Sequence, residues 1–189
     1  EIRARMARND RPLIAWEIGC GSGALVTALA LRFREAVALE RLRLIASDTS
    51  ADALELTAEN LDAHGVAPLV DLALADLLAP AGASLPRPDV VIANLPYVPT
   101  DEVAAAGGSL AFEPRAALDG GPDGLDVLRR LLADAPRHTN EAATLLLEIG
   151  AGQAQAVAAL APDGATVETR RDLAGIERVV RIGLADSPA

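Results

Sequence analysis

The chain has 189 residues, enough for one domain with a sizeable core, and 51% of them are hydrophobic while only 2% are aromatic. A core built from Ala, Leu, Val and Ile fits alternating strands and helices, an α/β architecture. A formal net charge of −10 argues against general affinity for nucleic acid, the single cysteine excludes an internal disulfide, and no apolar run approaches the ~20 residues of a membrane span.

The opening residues, EIRARMARNDRP, are charged and lack the apolar stretch of a signal peptide. They start with Glu, which suggests a piece of a longer protein, and the expected setting is a soluble, reducing one such as the cytoplasm. Leu13 to Ile18 is the first apolar run of strand length. It leads into EIGCGSG, Glu17 to Gly23, and then into a helical pattern over Ala24 to Arg34. Glycines at 19, 21 and 23 permit a sharp turn and a close backbone approach to a ligand. Their GxGxG spacing departs from the GxGxxG dinucleotide fingerprint, so a pyrophosphate on the helix N-terminus is not expected.

The second strand, Leu42 to Ala46, is followed by Asp48 and a helical pattern over Ala51 to His64. Asp48 or Ser50 could simply cap the helix, but a carboxylate at a strand end about 25 residues after a glycine loop is placed to accept both ribose hydroxyls, and that reading prevails. Leu69 to Ala75 predicts the third strand. Asp76 after it could reach the exocyclic amine of an adenine, with Leu77 and Leu78 as flat apolar contacts, or it could be a solvated strand end.

Val90 to Ala93 predicts the fourth strand, ending in NLPY, Asn94 to Tyr97. In open α/β sheets ligands sit outside the carboxyl ends of the strands, so NLPY and the glycine loop should share a crevice. The Asn94 amide oxygen and a neighbouring backbone carbonyl can accept both N–H bonds of a planar NH2 group, with Tyr97 packed along its plane. Pro99 to Pro122 shows little periodicity and reads as a long functional loop. A helical pattern over Gly124 to Ala135, a fifth strand at Thr144 to Glu148 and a helix over Gln153 to Leu160 follow. Two short strands, Thr166 to Thr169 and Arg178 to Ile182, should close the sheet in antiparallel fashion.

Taken in order, EIGCGSG, ASDTSADALELTAEN, ADLL, ANLPYVPTDE, FEPRAALDGGPDGLDVLRRLL, TLLLEIG and RRDLAGIERVV resemble the class I S-adenosylmethionine-dependent methyltransferases. Within them the pattern is similar to the HemK-like protein-glutamine N5-methyltransferases that modify peptide-chain release factors. The resemblance runs from about Leu13 to Ile182, and Glu113 to Arg130 is its most discriminating part. It implies a seven-stranded Rossmann-like sheet with an antiparallel last strand, S-adenosylmethionine as methyl donor with S-adenosylhomocysteine as product, and no metal. It implies a release factor as protein partner, with neither nucleic acid nor membrane involved. The donor site would comprise Glu17, Gly19, Cys20, Gly21, Gly23, Asp48, Thr49, Asp76, Leu77 and Asn94, and the acceptor site Asn94, Leu95, Pro96 and Tyr97, with Asn94, Pro96 and Tyr97 catalytic. The chain departs from the family in three places. Leu95 replaces the first proline of NPPY, HTNEAA stands for the usual Pro-Gly-Gly turn, and residues 1 to 189 are expected to form a single methyltransferase domain without the family's N-terminal helical recognition domain.

Other residues carry simpler readings. Cys20 between glycines fits a small apolar spacer, and His64 and His138 have no metal-ligand spacing. Trp16 belongs to the core, Glu113 and Arg115 could pair or touch substrate, and Arg170 and Arg171 read as solvated. Two rival functions stay open. NLPY also resembles the motif of rRNA adenine methyltransferases, against which the acidic charge, the low aromatic content and EPRAALDGG weigh, and a non-catalytic module could keep the same fold.

Overall fold

Side chains alternate along β1 (Leu13–Ile18), so Leu13 and Ala15 enter one core layer while Trp16 and Ile18 enter the other. The same division runs through β2 (Leu42–Asp48), with Leu42 and Leu44 on the first face and Ile45 on the second. A strand buried on both faces needs helices on both sides. On the first face lie α1 (Ile2–Met6), α2 (Ala24–Arg32) and α4 (Ala51–Ala63), through Ile2, Val26, Ala30 and Leu61. On the second lie α7 (Asp126–His138) and α8 (Ala154–Ala159), through Leu128, Leu131, Leu132, Ala154 and Val157. The computed structural model describes residues 1–80, 85–105 and 114–185.

The remaining strands are β3 (Val70–Asp76), the two-residue β4 (Ala79–Pro80), β5 (Val90–Ala93), β6 (Thr144–Glu148), β7 (Thr166–Arg171) and β8 (Glu177–Gly183). They order as β4-β3-β2-β1-β5-β6-β8-β7. From β3 to β6 all pairings are parallel, while β8 runs antiparallel to both β6 and β7. This is the expected seven-stranded sheet with its last strand reversed, extended at one edge by β4. Chain progress from β1 goes outward through β2 and β3, then returns to the other side of β1 at β5. The switch point therefore lies between β1 and β5, and the C-terminal ends of these two strands are where open α/β sheets take their ligands.

Three local expectations need correction. The helix expected over Ala24 to Arg34 breaks at Phe33, whose φ of −115° and ψ of 19° lie outside helical geometry, and continues as α3 (Arg34–Ala38). The helix expected to stop at Ala135 runs on to His138 through Pro136, which gives up the one hydrogen bond its nitrogen would otherwise donate to the Leu132 carbonyl. Pro99 to Pro122 is no plain loop: it contains α5 (Thr100–Ala105) and α6 (Arg115–Leu118), each too short to show a hydrophobic period.

At the opposite, N-terminal end of the strands, the buried Asp89 ties three segments together. Its carboxylate accepts the Ile14 amide at 2.8 Å, the Asn140 side chain at 2.9 Å and the Arg11 guanidinium in a two-pronged pair. Burial works to raise its pKa, but these donors prevail and hold it below the usual carboxylate range. Asp89→Ala leaves the Ile14 N–H without its acceptor and is expected to cost about 1–3 kcal/mol of stability, measured by urea unfolding.

Candidate active site

The crevice at the switch point is walled by the turn after β1 and the segment after β5. Gly23, with φ +73°, starts α2, and a side chain there would collide with Thr57 of α4, its nearest atom lying 2.6 Å from the added carbon. That close packing lets α4 grip the turn. The Thr57 hydroxyl donates to the Gly21 carbonyl at 3.0 Å, and the Asn60 amide donates to the Ser22 carbonyl at 2.8 Å. Asp48 completes the hold by accepting the Gly21 amide at 3.0 Å on one oxygen and the Ser50 amide at 2.9 Å on the other. Ser50, rather than Asp48, caps α4 through the Ala53 amide. Each oxygen of the half-buried Asp48 spends one lone pair on the backbone, which fixes the carboxylate and leaves its other lone pairs for hydroxyl donors. Thr49 beside it is exposed.

Glu17 is only 6% exposed, and its Oε2 has no hydrogen-bond partner among the described residues. Burial pushes its carboxyl up to about 7, opposed by a hydrogen bond from the Val26 backbone and assisted by the charge of Asp48. Its folded-state pKa therefore exceeds the unfolded value, so its favourable contribution is present at acid pH and lost as pH rises toward and through 7. Glu17→Gln is accordingly expected to stabilise the fold at pH 8 by about 2 kcal/mol and to flatten the decline of stability between about pH 4.5 and 7, seen in unfolding curves across pH. Cys20 is buried with its Sγ 3.4 Å from the Thr57 hydroxyl, and burial pushes its thiol up to about 11, so it stays protonated as an apolar filler.

The other wall begins at Asn94. Its side chain is exposed, and among the described residues no hydrogen bond engages its carboxamide. Leu95 turns the other way: it is 6% exposed, and its Cδ2 lies 2.9 Å from where a side-chain carbon on Gly19 would stand. The two walls thus meet through Leu95 and Gly19. Leucine in place of proline does more than free a φ angle, because it fills the space between the glycine turn and the core. Pro96 and Tyr97 are half-buried, with the Tyr97 ring beside Gly150 at the end of β6.

Past Tyr97 the chain is braced by Asp119 to Gly124. Val98 donates to the Leu118 carbonyl and accepts from Gly120, both at 2.9 Å, and Thr100 donates its amide to Gly121 at 2.9 Å and its hydroxyl to Asp119 at 2.6 Å. Gly124 has φ +74°, and a side chain there would overlap the Tyr97 carbonyl. The DGGPDGL stretch thus supports NLPY. Arg115 pairs with Asp119, and Glu113 lies outside the described residues.

Asp76 stands exposed at the end of β3 and pairs with Arg130 of α7 at 2.6 Å. Leu77 and Leu78 are buried in the core, which leaves little of their surface for a ligand. Arg170 and Arg171 are exposed on β7 and pair with Glu168 and Glu177, and the Trp16 indole donates to the Ser47 hydroxyl at 2.7 Å inside the core. Thr57, Asn60 and Gln153 escaped the sequence reading. The spacing of Thr57 and Asn60, three apart on α4 beside Leu61, was the available signal.

Glu17, Asp48 and Asp76 stand at the C-terminal ends of the parallel strands β1, β2 and β3, three carboxylates along one edge of the sheet. That set suits a ligand with a cationic amine, a ribose diol and an adenine NH2, as in S-adenosylmethionine, and opposes a pyrophosphate. The orphaned oxygen of Glu17 would be filled by an ammonium donor. Among the described residues no group of three or more His, Cys, Asp or Glu side chains could hold a metal ion, and no helix is long and apolar enough to cross a membrane.

No family model matches the chain. Its sequence is 39% identical over 87% of its length to a release factor glutamine methyltransferase of Gloeobacter violaceus, covering 56% of that protein. It is 42% identical over 70% of its length to a ribosomal protein uL3 glutamine methyltransferase of Bradyrhizobium diazoefficiens, covering 39% of it. The chain thus spans about half the length of the curated relatives it matches. Among solved structures, a ribosomal protein L11 methylase of Lactobacillus delbrueckii superposes with a TM-score of 0.61 at 17% identity, over 97% of this chain and 77% of that one. The fold is that of the Rossmann-like class I methyltransferases.

Proposed function

We propose that this chain, homologous to the release factor glutamine methyltransferases along most of its length, is the methyl-transferring domain of such an enzyme. On this reading it moves a methyl group from S-adenosylmethionine to the side-chain amide nitrogen of a glutamine in a peptide-chain release factor. The observation that carries the proposal is the contact of the two crevice walls, Leu95 against Gly19, with the unengaged Asn94 carboxamide beside it. A donor seated on the glycine turn would lie next to an acceptor amide held by NLPY.

S-adenosylmethionine, when bound, supplies an electrophilic methyl group on a sulfonium. Asp48 would accept the two ribose hydroxyls, Glu17 the ammonium group and Asp76 the adenine amine, each as an oxygen acceptor. An amide nitrogen is a poor nucleophile because its lone pair is delocalised into its carbonyl. The Asn94 Oδ1 and the Leu95 carbonyl would accept its two N–H bonds, increasing electron density on nitrogen and aiming it at the methyl carbon. Tyr97 and Pro96 would keep the acceptor plane in place and exclude water. Positioning supplies most of the rate on this account. Transfer would exchange the donor's S–CH3 bond for an N–CH3 bond, and the N-protonated amide product, a strong acid, would lose its extra proton to bulk water as it leaves the site, so no general base is needed.

The relative named for uL3 supports a second reading with the same chemistry, a glutamine in a ribosomal protein. Incubation with radiolabelled donor and, separately, release factor, uL3 and rRNA separates the alternatives. Label in release factor is expected, label in uL3 alone would favour the second reading, and label in rRNA alone would overturn both.

A further inference from the structure

The acceptor segment leaves the sheet at Ala93, so its backbone must be held by groups outside any ladder. Val98 and Thr100 find theirs in Leu118 to Gly121, but the carbonyl of Tyr97 takes its hydrogen bond from a side chain, the Nε2 of Gln153, at 2.9 Å. The Oε1 of the same carboxamide accepts the Gly150 amide at 2.8 Å. One planar group therefore links the residue that follows NLP to the first turn beyond β6.

Its surroundings are shaped to fit. A side-chain carbon on Gly124 would stand 2.7 Å from Nε2, and one on Gly150 would stand 2.9 Å from Oε1 and 3.3 Å from the Tyr97 ring. Two glycines thus form a slot with the carboxamide between them. Gln153 occupies the N-cap position of α8, yet its side chain makes no capping hydrogen bond to that helix. It turns away from its own helix toward Tyr97.

We propose that Gln153 is a positioning residue for the acceptor amide: by holding the Tyr97 carbonyl it sets the height and tilt of the Tyr97 ring and of the NLPY backbone before it. This rests on the reading that NLPY receives the acceptor. Gln153 touches neither donor nor acceptor and acts through Tyr97. Without the clamp the Tyr97 carbonyl turns to water and the acceptor nitrogen loses its line to the methyl carbon, and a slip of about 1 Å costs about a hundredfold in rate.

The test uses Gln153→Met, which keeps the length and removes the hydrogen bonds to Tyr97, Gly150 and, at 3.5 Å, the Asp123 carbonyl, and Gln153→Glu, which keeps an acceptor for Gly150 but faces the Tyr97 carbonyl with an oxygen. Tyr97 is the only tyrosine in the chain, so 3-fluorotyrosine labelling gives one fluorine NMR resonance that reports on this ring without any turnover. Both variants are expected to displace or broaden that resonance and to lower kcat on a release-factor glutamine peptide about tenfold or more, with donor Kd within about twofold of the parent and Trp16 emission unchanged. An unmoved fluorine resonance in both variants overturns the proposal. So does a loss of donor affinity as large as the loss of kcat, which would mark general damage. A parent chain that methylates no glutamine peptide overturns the functional reading instead. The fluorine signal then still decides whether Gln153 holds Tyr97.

Discussion

Asn94→Ala is expected to lower kcat by about a hundredfold or more while donor Kd stays within about twofold of the parent, because on the proposed function the lost oxygen would act on the acceptor amide as it becomes nucleophilic. Asn94 is exposed and carries no hydrogen bond among the described residues, so its removal leaves no buried group unsatisfied and the fold should be undisturbed. Asn94→Asp is more telling. It keeps an oxygen acceptor but adds a negative charge at the edge of the sheet where Asp48, Glu17 and Asp76 also stand, so activity should survive in part. Titration calorimetry with the donor, paired with initial rates, separates the two effects. A variant that loses donor affinity but keeps its rate at saturation would move Asn94 out of the acceptor site.

Asp48→Ala should act on the other partner. Asp48 holds the Gly21 and Ser50 amides and is the proposed acceptor of the ribose diol, so its removal would both delete charge-assisted acceptors and loosen the glycine turn. Donor affinity is expected to fall about a hundredfold or more, roughly 3 kcal/mol, in calorimetry. Asp48→Asn, able to accept on one atom only, should fall between parent and alanine. Equal donor affinity in parent and alanine variant would remove Asp48 from the ribose site.

The strands were legible in the sequence because burial on both faces leaves a largely apolar run, and β1, β5 and β6 begin and end where Leu13 to Ile18, Val90 to Ala93 and Thr144 to Glu148 predict. The crevice was legible for a different reason. A glycine turn and NLPY both follow parallel strands, and the C-terminal ends of such strands share one edge. What remained hidden is made of contacts between residues far apart in the chain. Nothing near Gln153 in sequence points to Tyr97, 56 positions earlier. Likewise DGGPDGL stood out through the resemblance it carries, yet only the fold places its glycines under the carbonyls of Pro96 and Tyr97. The short helices α5 and α6 span six and four residues, below the length at which a helical period can be read.

The central claim is that the methyl group ends on a side-chain amide nitrogen. The most direct measurement is tandem mass spectrometry of release factor after incubation with the chain and a donor bearing a deuterated methyl group, followed by acid hydrolysis of the labelled peptide. The account predicts the label on one glutamine and its release as deuterated methylamine, because hydrolysis of an N-methylated amide liberates the amine. Label released as methanol from a carboxyl ester, or label found on an adenine in rRNA while release factor stays unmodified, would contradict it.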